Sequence, residues 1–298
     1  MLINVYGKKV EIMTSMCSKN NIPAKLPGKP FINIYVKVTN RCNANCAFCA
    51  FKGTEQYTFD IDKYVSALHE IKRTCRINKV SFTGGEPTVE ADLLGRLIKL
   101  TRKILGKWVF IVVSTNGSNL ECLSHMYDIN NVALSRHHYN DSINREIFHT
   151  NKVPTKIDII NSRLGRHKIH LSCVLAKNAI NSGHEVIRYL EFARNILIND
   201  VGFVGLMTDV NAFCKKNYVN FDKLSLVPAV GERGKVAKTK DYTRGNDKDC
   251  ACSNYMFIKN GEVVHFYYRH RIKTSSIESF FFDGQHLRAG FNGEIIQP

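Results

Sequence analysis

The stretch FINIYVKVTNRCNANCAFC, residues 31–49, joins a strand-forming run to three closely spaced cysteines. Residues 31–38 are rich in β-branched and aromatic side chains, a composition that predicts a buried strand. Cys42, Cys46 and Cys49 follow in a C-x3-C-x2-C spacing, on what we expect to be a loop. The stretch therefore sets three thiols at the end of a strand, and the neighbouring segments indicate what kind of sheet that strand joins.

Strand-like and helix-like segments alternate along the chain after residue 31. Further strands are predicted at residues 79–85, 108–117, 131–138, 168–177 and 201–207. Helices are predicted between them at residues 60–75, 91–105, near 119–126, 156–165 and 184–197, with Asp60 as the cap of the first. Such alternation forms right-handed βαβ units around a parallel sheet. We therefore predict an α/β fold, a partial (β/α)6 TIM-like barrel with an irregular C-terminal extension.

Three regions are expected along the chain. They are an N-terminal extension over residues 1–30, the partial barrel over residues 31–214, and a C-terminal region over residues 215–298 that covers the substrate. The strand–helix alternation ends near residue 215. A hairpin is still predicted around residues 258–268, because Asn260-Gly261 is a favoured two-residue turn.

Composition indicates the cellular compartment of the protein and the charge of its partners. The 298 residues contain no apolar run long enough to span a membrane, and charged residues interrupt the first 13 residues, where a signal peptide would be apolar. We therefore expect a cytoplasmic protein whose ten cysteines are mostly reduced. The formal net charge of +16 is compatible with an anionic partner such as nucleic acid. A solubilising surface explains the charge as well and is the interpretation we favour.

The cysteine triplet indicates a particular kind of metal group. Structural zinc usually takes four ligands in two pairs, and no second pair of matching spacing follows this triplet. A cubane [4Fe–4S] cluster takes one thiolate on each iron. Three thiolates would leave one iron open to a chelating ligand, so Cys42, Cys46 and Cys49 are the predicted cluster ligands.

Further motifs follow at the ends of other predicted strands. GGEP occupies residues 84–87, STNG residues 114–117, GFVGLM residues 202–207, and the aromatic Phe48 precedes the last cysteine of the triplet. Together with C-x3-C-x2-C, in this order and context, they resemble the radical S-adenosylmethionine (radical SAM) superfamily over roughly residues 31–210. The resemblance implies a [4Fe–4S] cluster and S-adenosylmethionine as cofactors, an external electron donor such as flavodoxin or ferredoxin, and hydrogen abstraction by a 5′-deoxyadenosyl radical.

The resemblance also implies roles for individual residues. The implied cofactor-binding residues are Phe48, Gly84, Gly85, Glu86, Ser114, Asn116, Ser135, Arg145 and Leu206. Among them Glu86 would accept the methionine ammonium, Ser114 and Asn116 would bind ribose hydroxyls, and Ser135 with Arg145 would bind the methionine carboxylate. The two glycines would let the backbone approach the ligand closely.

Two groups of residues are candidates for the substrate side of the site. His137, His138 and Tyr139 follow a predicted strand and would face the cavity as proton acceptors, substrate ligands or plain loop residues. Cys250 is the first candidate for a thiol that returns a hydrogen atom to the substrate radical, and Cys252 is the second. Two alternatives stay open: a second cluster on Cys214, Cys250 and Cys252, or buried structural thiols.

These patterns predict a radical SAM enzyme that performs a redox-neutral epimerisation of a sugar- or aminoglycoside-type carbon. Alternatives are an enzyme that modifies a peptide, a nucleotide or RNA, and an iron–sulfur protein that binds S-adenosylmethionine without turnover. A cationic aminoglycoside would need an acidic pocket in this basic protein. Glu55, Asp60, Asp209 and Glu232 are the candidates for it.

Overall fold

The computed structural model describes residues 1–12, 28–51, 57–220, 224, 237–238, 255–259, 262–267 and 276–297. The strands within this part of the chain are β1 Leu2–Val5, β2 Lys8–Ile12, β3 Phe31–Lys37, β4 Arg76–Thr83, β5 Phe110–Thr115, β6 Asn131–Ser135, β7 Ile169–Leu175, β8 Asp200–Gly205, β9 Ala237–Lys238, β10 Tyr255–Lys259, β11 Glu262–Tyr267, β12 Ser276–Ile277, β13 Ser279–Phe282 and β14 Leu287–Arg288. The helices are α1 Ile61–Thr74, α2 Ala91–Leu105, α3 Leu120–Ser124, α4 Asp141–Phe148, α5 Lys156–Asn161, α6 Gly183–Asn195 and α7 Ala212–Asn217. Short 3-10 helices span Pro87–Glu90 and Arg166–Lys168.

Six parallel strands, β3 to β8, lie side by side in chain order. Helices separate them along the chain, as the alternation of the sequence predicts. The mixed α/β fold with a parallel sheet is therefore confirmed, and its strand order is the one that a partial barrel requires.

The C-terminal region contributes to the same sheet. β13 pairs in parallel with β3 at one edge, and β11 pairs in parallel with β8 at the other. The described sheet is therefore 11-stranded, and the expectation of an irregular extension was wrong for these segments. The predicted hairpin is confirmed, because β10 and β11 are antiparallel with Lys259 opposite Glu262. Pairing with distant strands made the remaining strands hard to foresee, since each is short and flanked by polar residues.

The two faces of the parallel sheet differ in burial. Burial alternates along β6 and β7, so that Leu134 and Leu171 are fully buried on one face while Ser135 and Ser172 are half-buried on the other. The buried face packs against the helices, where Tyr64 and Leu68 of α1 and Leu94 of α2 join one apolar core. The half-buried face carries hydroxyl and other polar side chains, which we call the inner face.

Local sequence signals account for the helices. The Asp60 carboxylate accepts a hydrogen bond from the backbone N–H of Lys63, 2.9 Å away, so the predicted cap of α1 is confirmed. α2 has the predicted bounds. The sequence analysis missed α4 and α7, which are eight and six residues long and begin after the asparagine caps Asn140 and Asn211. Helices of this length show too little apolar periodicity to be recognised.

The N-terminal strands lie outside the main sheet. β1 and β2 form a hairpin, and β12 pairs in parallel with β2, which gives a separate 3-stranded sheet. The expected division of the chain at residues 30 and 214 stays a prediction. Among the helices of the described residues, none has the length and apolar character that crossing a membrane demands.

Candidate active site at the carboxyl ends of the strands

The cysteine segment, residues 39–49, leaves the end of β3 and lies against the turn that follows β4. The backbone N–H of Gly85 donates to the carbonyl of Thr39, and the N–H of Glu86 donates to the carbonyl of Arg41, each over 2.8 Å. These bonds continue the pairing of β3 and β4 beyond the strands. The GGEP turn therefore supports the start of the cysteine segment directly.

The close approach explains both glycines of the turn. A Cβ atom at Gly84 would lie 2.5 Å from the carbonyl oxygen of Thr39, and one at Gly85 would lie 2.1 Å from that of Arg41. Gly84 also has a φ of 138°, which disfavours any side chain. The sequence analysis assigned the glycines to close approach of a ligand, whereas the described contact is with the cysteine segment itself.

Cys42, Cys46 and Cys49 carry their sulfurs as thiols on this one segment. The N–H of Ala44 points at the sulfur of Cys42, and the N–H of Phe51 points at that of Cys49, with a nitrogen–sulfur distance of 3.4 Å in each case. Partial burial, and then the negative charges of Glu86 and Cys49, raise the pKa of Cys42. A bound metal group would therefore favour the deprotonated form of Cys42 that its protein surroundings disfavour.

Within the described part of the chain, no three His, Cys, Asp or Glu side chains are arranged to hold a single metal ion. The three ligands of a cubane need no such convergence, because each sulfur binds a different iron of the cluster.

Glu86 joins the GGEP motif to the STNG motif. Its Oε1 accepts hydrogen bonds from the N–H of Thr88 at 3.0 Å and from the hydroxyls of Thr88 and Thr115 at 2.6 Å each. Its Oε2 accepts from the N–H of Asn116, also at 2.6 Å. A carboxylate has about four lone-pair sites. Oε2 accepts only one of these bonds, so the prediction that Glu86 binds an ammonium group depends on the second lone pair of Oε2.

Asn43 ties the cysteine segment to the end of β5. Asn116 Nδ2 donates to Asn43 Oδ1 at 2.8 Å, and Asn43 Nδ2 donates to the hydroxyl of Ser118 at 2.7 Å. The side chain of Asn116 is thus engaged by the protein. Ser114, by contrast, is half-buried on the inner face, and its hydroxyl has no hydrogen bond to another described residue. Of the two predicted ribose contacts, Ser114 has the more available group.

The two histidines after β6 have different neighbours. The ring of His137 stacks on Phe148 at 4.7 Å and meets the edge of Phe48 at 5.0 Å, and its Nδ1 accepts from the N–H of Val174 at 3.2 Å. His137 therefore lies against the cysteine segment. It is buried, so direct contact of its ring with substrate stays a prediction.

His138 and Tyr139 lie towards α6 instead. His138 Nε2 is 3.8 Å from the Glu185 carboxylate, and the hydroxyl of Tyr139 donates to the same carboxylate at 3.4 Å. Burial lowers the pKa of His138 and outweighs the nearby negative charge of Glu185. His138 and Tyr139 thus share the Glu185 carboxylate, whereas His137 contacts Phe48 and Phe148. The expectation that all three residues face the substrate stays a prediction.

Two buried polar atoms near the cysteine segment have no hydrogen-bond partner in the described structure. They are Nε of Arg145, on α4, and Oδ1 of Asn40, at the start of the segment. α4 is held to the segment because the N–H of Asn45 donates to the carbonyl of Phe148 at 2.8 Å. An unpaired guanidinium donor suits a carboxylate, and an unpaired amide acceptor suits an ammonium group. The half-buried hydroxyl of Ser135 likewise makes no described hydrogen bond.

Leu206 follows β8 and is buried in a small apolar cluster with Ala176 and Cys214. Phe48 packs against this cluster from the cysteine segment. Burial raises the pKa of Cys214, and its surroundings favour the structural interpretation of this thiol. Cys250 and Cys252 lie outside the described residues, so the hydrogen-donor and second-cluster hypotheses stay predictions.

The acidic pocket has little support among the described residues. Asp60 is used as the cap of α1, and Asp209 is exposed. Glu55 and Glu232 lie outside the described residues. Of the remaining cysteines, Cys75 and Cys173 are buried and Cys122 is half-buried, while Cys17 lies outside the described part.

Residues 36–161 match the family model of the Radical SAM superfamily. The chain contains a radical SAM domain. Domains of this superfamily use a [4Fe–4S] cluster and S-adenosylmethionine. Radical SAM enzymes receive their electrons from an external reductant.

Curated proteins with similar sequences carry several different names. A probable GTP 3′,8-cyclase of Thermoplasma volcanium is 31% identical over 116 residues, which is 37% of this chain and 33% of that protein. A putative glycyl-radical enzyme activating enzyme of Methanocaldococcus jannaschii is 23% identical over 59% of this chain and 69% of its own. A probable GTP 3′,8-cyclase of Saccharolobus solfataricus is 25% identical over 60% of this chain and 58% of its own.

Among solved structures, SuiB of Streptococcus suis bound to the precursor peptide SuiA superposes with a TM-score of 0.49, at 20% identity, over 63% of this chain and 41% of that one. This chain therefore spans about a third of the first curated relative and about two fifths of the solved one.

Three asparagines at this site were not among the residues predicted from the sequence: Asn40, Asn43 and Asn211. The run NRCNANC does show asparagines between the cysteines, which is a signal for amide hydrogen bonds around the segment. Asn211 gives no such signal, because it is far from the segment in sequence.

Proposed function

We propose that this protein is an enzyme that cleaves S-adenosylmethionine reductively and uses the radical to take a hydrogen atom from a substrate on the inner face of the sheet. The proposal rests on one observation above all: three thiols lie on one segment, and that segment is hydrogen-bonded to α4, the helix that carries the unpaired Nε of Arg145. When bound, the cluster and S-adenosylmethionine supply a 5′-deoxyadenosyl radical that is reactive enough to attack an unactivated carbon.

The residues of this chain would bind and orient that cofactor pair. Cys42, Cys46 and Cys49 would hold three irons, which leaves the fourth for the methionine group. Arg145, with Ser135, would donate to the carboxylate. These assignments are supported by the unpaired Nε of Arg145 and the half-buried, unpaired hydroxyl of Ser135.

Other groups would contact the rest of the ligand. Asn40 Oδ1, a buried acceptor, would take a hydrogen bond from the ammonium group, and Glu86 would support the same group by holding the two motifs together. Ser114 would bind a ribose hydroxyl. Leu206 and Phe48 would supply apolar surface beside the adenine and exclude water from the site.

We further propose that the net change is a redox-neutral epimerisation of a sugar-type carbon, with Cys250 as the hydrogen donor and Cys252 as the second candidate. The cofactor pair held by Cys42, Cys46 and Cys49 would take up the hydrogen atom of one substrate C–H bond. The thiol then gives its hydrogen atom to the other face of the substrate carbon, so an S–H bond breaks and a C–H bond forms. The resulting thiyl radical needs one electron from the external reductant and one proton from water.

The radical chemistry is tested first, with anaerobically reconstituted protein. Wild-type protein with dithionite and S-adenosylmethionine should bind iron and sulfide, show the brown [4Fe–4S] absorption, and release 5′-deoxyadenosine. Cys42→Ala should do none of these, whereas Cys122→Ser, which changes a half-buried thiol on α3, should behave as wild type. Zinc in place of the cluster, or no 5′-deoxyadenosine from wild-type protein, would refute the proposal.

Epimerisation is tested by turnover in D2O with candidate sugars and aminoglycosides. A solvent-exchangeable thiol should place one deuterium on the inverted carbon. Cys250→Ala should still release 5′-deoxyadenosine but lose the deuterium-labelled product. Wild-type behaviour of both Cys250→Ala and Cys252→Ala would exclude a thiol donor at these positions.

A nucleotide substrate is the second candidate. Lys37 and Lys79 lie on the inner face, since Lys37 pairs with Thr83 and Lys79 with Asn33 in the parallel ladder. Lysines suit an anionic substrate better than a cationic sugar. Two of the relatives reported above are named probable GTP 3′,8-cyclases, which favours a purine nucleotide as the probe. Binding of GTP that weakens with salt, together with consumption of GTP during turnover, would favour this candidate over the sugar.

A further inference from the structure

The stretch between Cys46 and Cys49 holds two of the three predicted ligands, and the contacts around it come from a distant part of the chain. Asn211 Nδ2 donates to the carbonyl of Ala47 at 2.9 Å. The thiol of Cys214 lies 3.9 Å from the carbonyl of Phe48. Both residues belong to the segment that follows β8, more than 160 positions away in sequence.

A single side chain performs two tasks at Asn211. Its Oδ1 accepts the N–H of Cys214 at 2.9 Å, which caps α7, while its Nδ2 reaches the cysteine segment. The cap fixes the amide plane, so the donor to Ala47 is oriented before any cofactor binds.

α7 is itself fixed to the rest of the domain. Cys214 is 1% exposed and packs against Ala176 and Leu206, and the N–H of Lys177 donates to the carbonyl of Asn217 at 3.0 Å. α7 therefore connects the ends of β7 and β8 to the cysteine segment. A displacement of α7 would be transmitted to the two ligands on either side of Ala47 and Phe48.

We propose that Asn211 is a positioning residue for the cluster, because it holds the Cys46–Cys49 stretch in place from α7. Loss of its side-chain donor weakens cluster binding but leaves the fold intact. The inference rests on the proposed cluster site. Asn211 lies outside the cysteine motif and outside the residues implied by the family resemblance. Because the bond orders this stretch before the cluster binds, less conformational entropy is lost on binding. Retention of iron should therefore depend on this bond.

The test uses Asn211→Asp and the control Asn217→Asp. Aspartate at 211 keeps the oxygen that caps α7 but has no N–H to donate to Ala47, so it separates the two tasks. Asn217 Nδ2 donates within α7, to the carbonyl of Phe213 at 3.0 Å, so the control adds the same charge to the same helix. Full-length protein is reconstituted, and the rate of iron transfer to a chelator is measured together with the EPR signal of the reduced cluster.

N211D should release iron about threefold to tenfold faster than wild type, as expected for one lost hydrogen bond, and should shift the EPR signal. N217D should match wild type in both. Hydrogen exchange of the cluster-free protein should show faster exchange in residues 43–51 for N211D alone. Equal iron release by N211D and N217D, or faster exchange throughout N211D, would overturn the inference. Failure of wild-type protein to hold a cluster would instead refute the proposed function.

Discussion

The cysteine segment, residues 39–49, and the segment after β6, residues 136–144, both extend from the carboxyl ends of parallel strands, yet they satisfy their polar groups in opposite ways. In the first, the three cysteines form no disulfide and Cys42 is exposed, while the Oδ1 of Asn40 has no hydrogen-bond partner among the described residues. In the second, Arg136 is 1% exposed, and each nitrogen of its guanidinium donates to a protein acceptor. The difference indicates that one segment supplies the chemistry while the other supplies a rigid support.

The Arg136 side chain is the centre of that support. It donates to the carbonyls of His138, Pro154 and Tyr139 and to the Asp141 carboxylate. Its guanidinium also lies over the ring of Phe192, 4.6 Å from the ring centroid. α4 begins at Asp141, so Arg136 fixes the helix that carries Arg145.

The largest effect is expected at the cysteine segment. Cys42→Ala should remove the cluster and all release of 5′-deoxyadenosine, because no nearby thiol can replace the lost ligand, while thermal stability of the cluster-free protein should stay unchanged since Cys42 is exposed. The buried Cys75→Ala should do the reverse, keeping iron and losing about 1 kcal/mol of unfolding free energy. Iron content and denaturant unfolding measure both. A large loss of stability in C42A would contradict the comparison.

The next effect concerns the support segment. Arg136→Met should lower the free energy of unfolding by about 3–5 kcal/mol, because the Asp141 carboxylate and three carbonyls lose a buried donor. Arg73→Met, which breaks an exposed pair with Glu70, should leave the free energy of unfolding nearly unchanged. Urea unfolding of the cluster-free proteins measures both changes. Similar losses in the two variants would show that burial of Arg136 does not increase its contribution to the free energy of unfolding.

Arg145 shares a property with each segment. It lies on α4, the helix that Arg136 supports, but its Nε has no hydrogen-bond partner among the described residues. Arg145→Gln should therefore leave stability nearly unchanged and weaken binding of S-adenosylmethionine by tenfold or more, as about 1.5–3 kcal/mol is expected for a charge-assisted bond. Calorimetric titration of the reconstituted protein measures the affinity. Arg163→Gln, an exposed arginine after α5, serves as the control. An unchanged affinity in R145Q would remove Arg145 from the site.

The smallest effect is a pH dependence in the support segment. Because burial lowers the pKa of His138 below its usual 6.5, the unfolded chain binds its proton more readily than the folded one. The stability from neutral His138 is present above pH 6.5 and should be lost as pH falls below that value. His138→Gln should flatten this part of the curve of unfolding free energy against pH, while the exposed His184→Gln should keep it. A curve for H138Q that still falls like that of wild type would assign the dependence elsewhere.

The strands and long helices could be predicted because their signals are local. The bounds of α2 and its capped neighbour α1 follow from apolar spacing and an aspartate, and the cysteine triplet shows its chemistry in its own spacing. β13 could not be foreseen, since four residues of SFFF become a strand only by pairing with β3, more than 240 positions earlier. The two-sided arrangement of His137 and His138 likewise depends on where Phe148 and Glu185 lie.

The sequence by itself determined which thiols are grouped and which strand ends carry the motifs, because those features are encoded within a few neighbouring residues. Only the tertiary structure decided which polar groups are already satisfied and which are left for a ligand. The carboxylate of Glu86 is occupied and the guanidinium nitrogen of Arg145 is not, although both belong to recognisable motifs. Hydrogen bonding is settled by groups that meet in space, and those of Glu86 come from β5, 29 and 30 positions away.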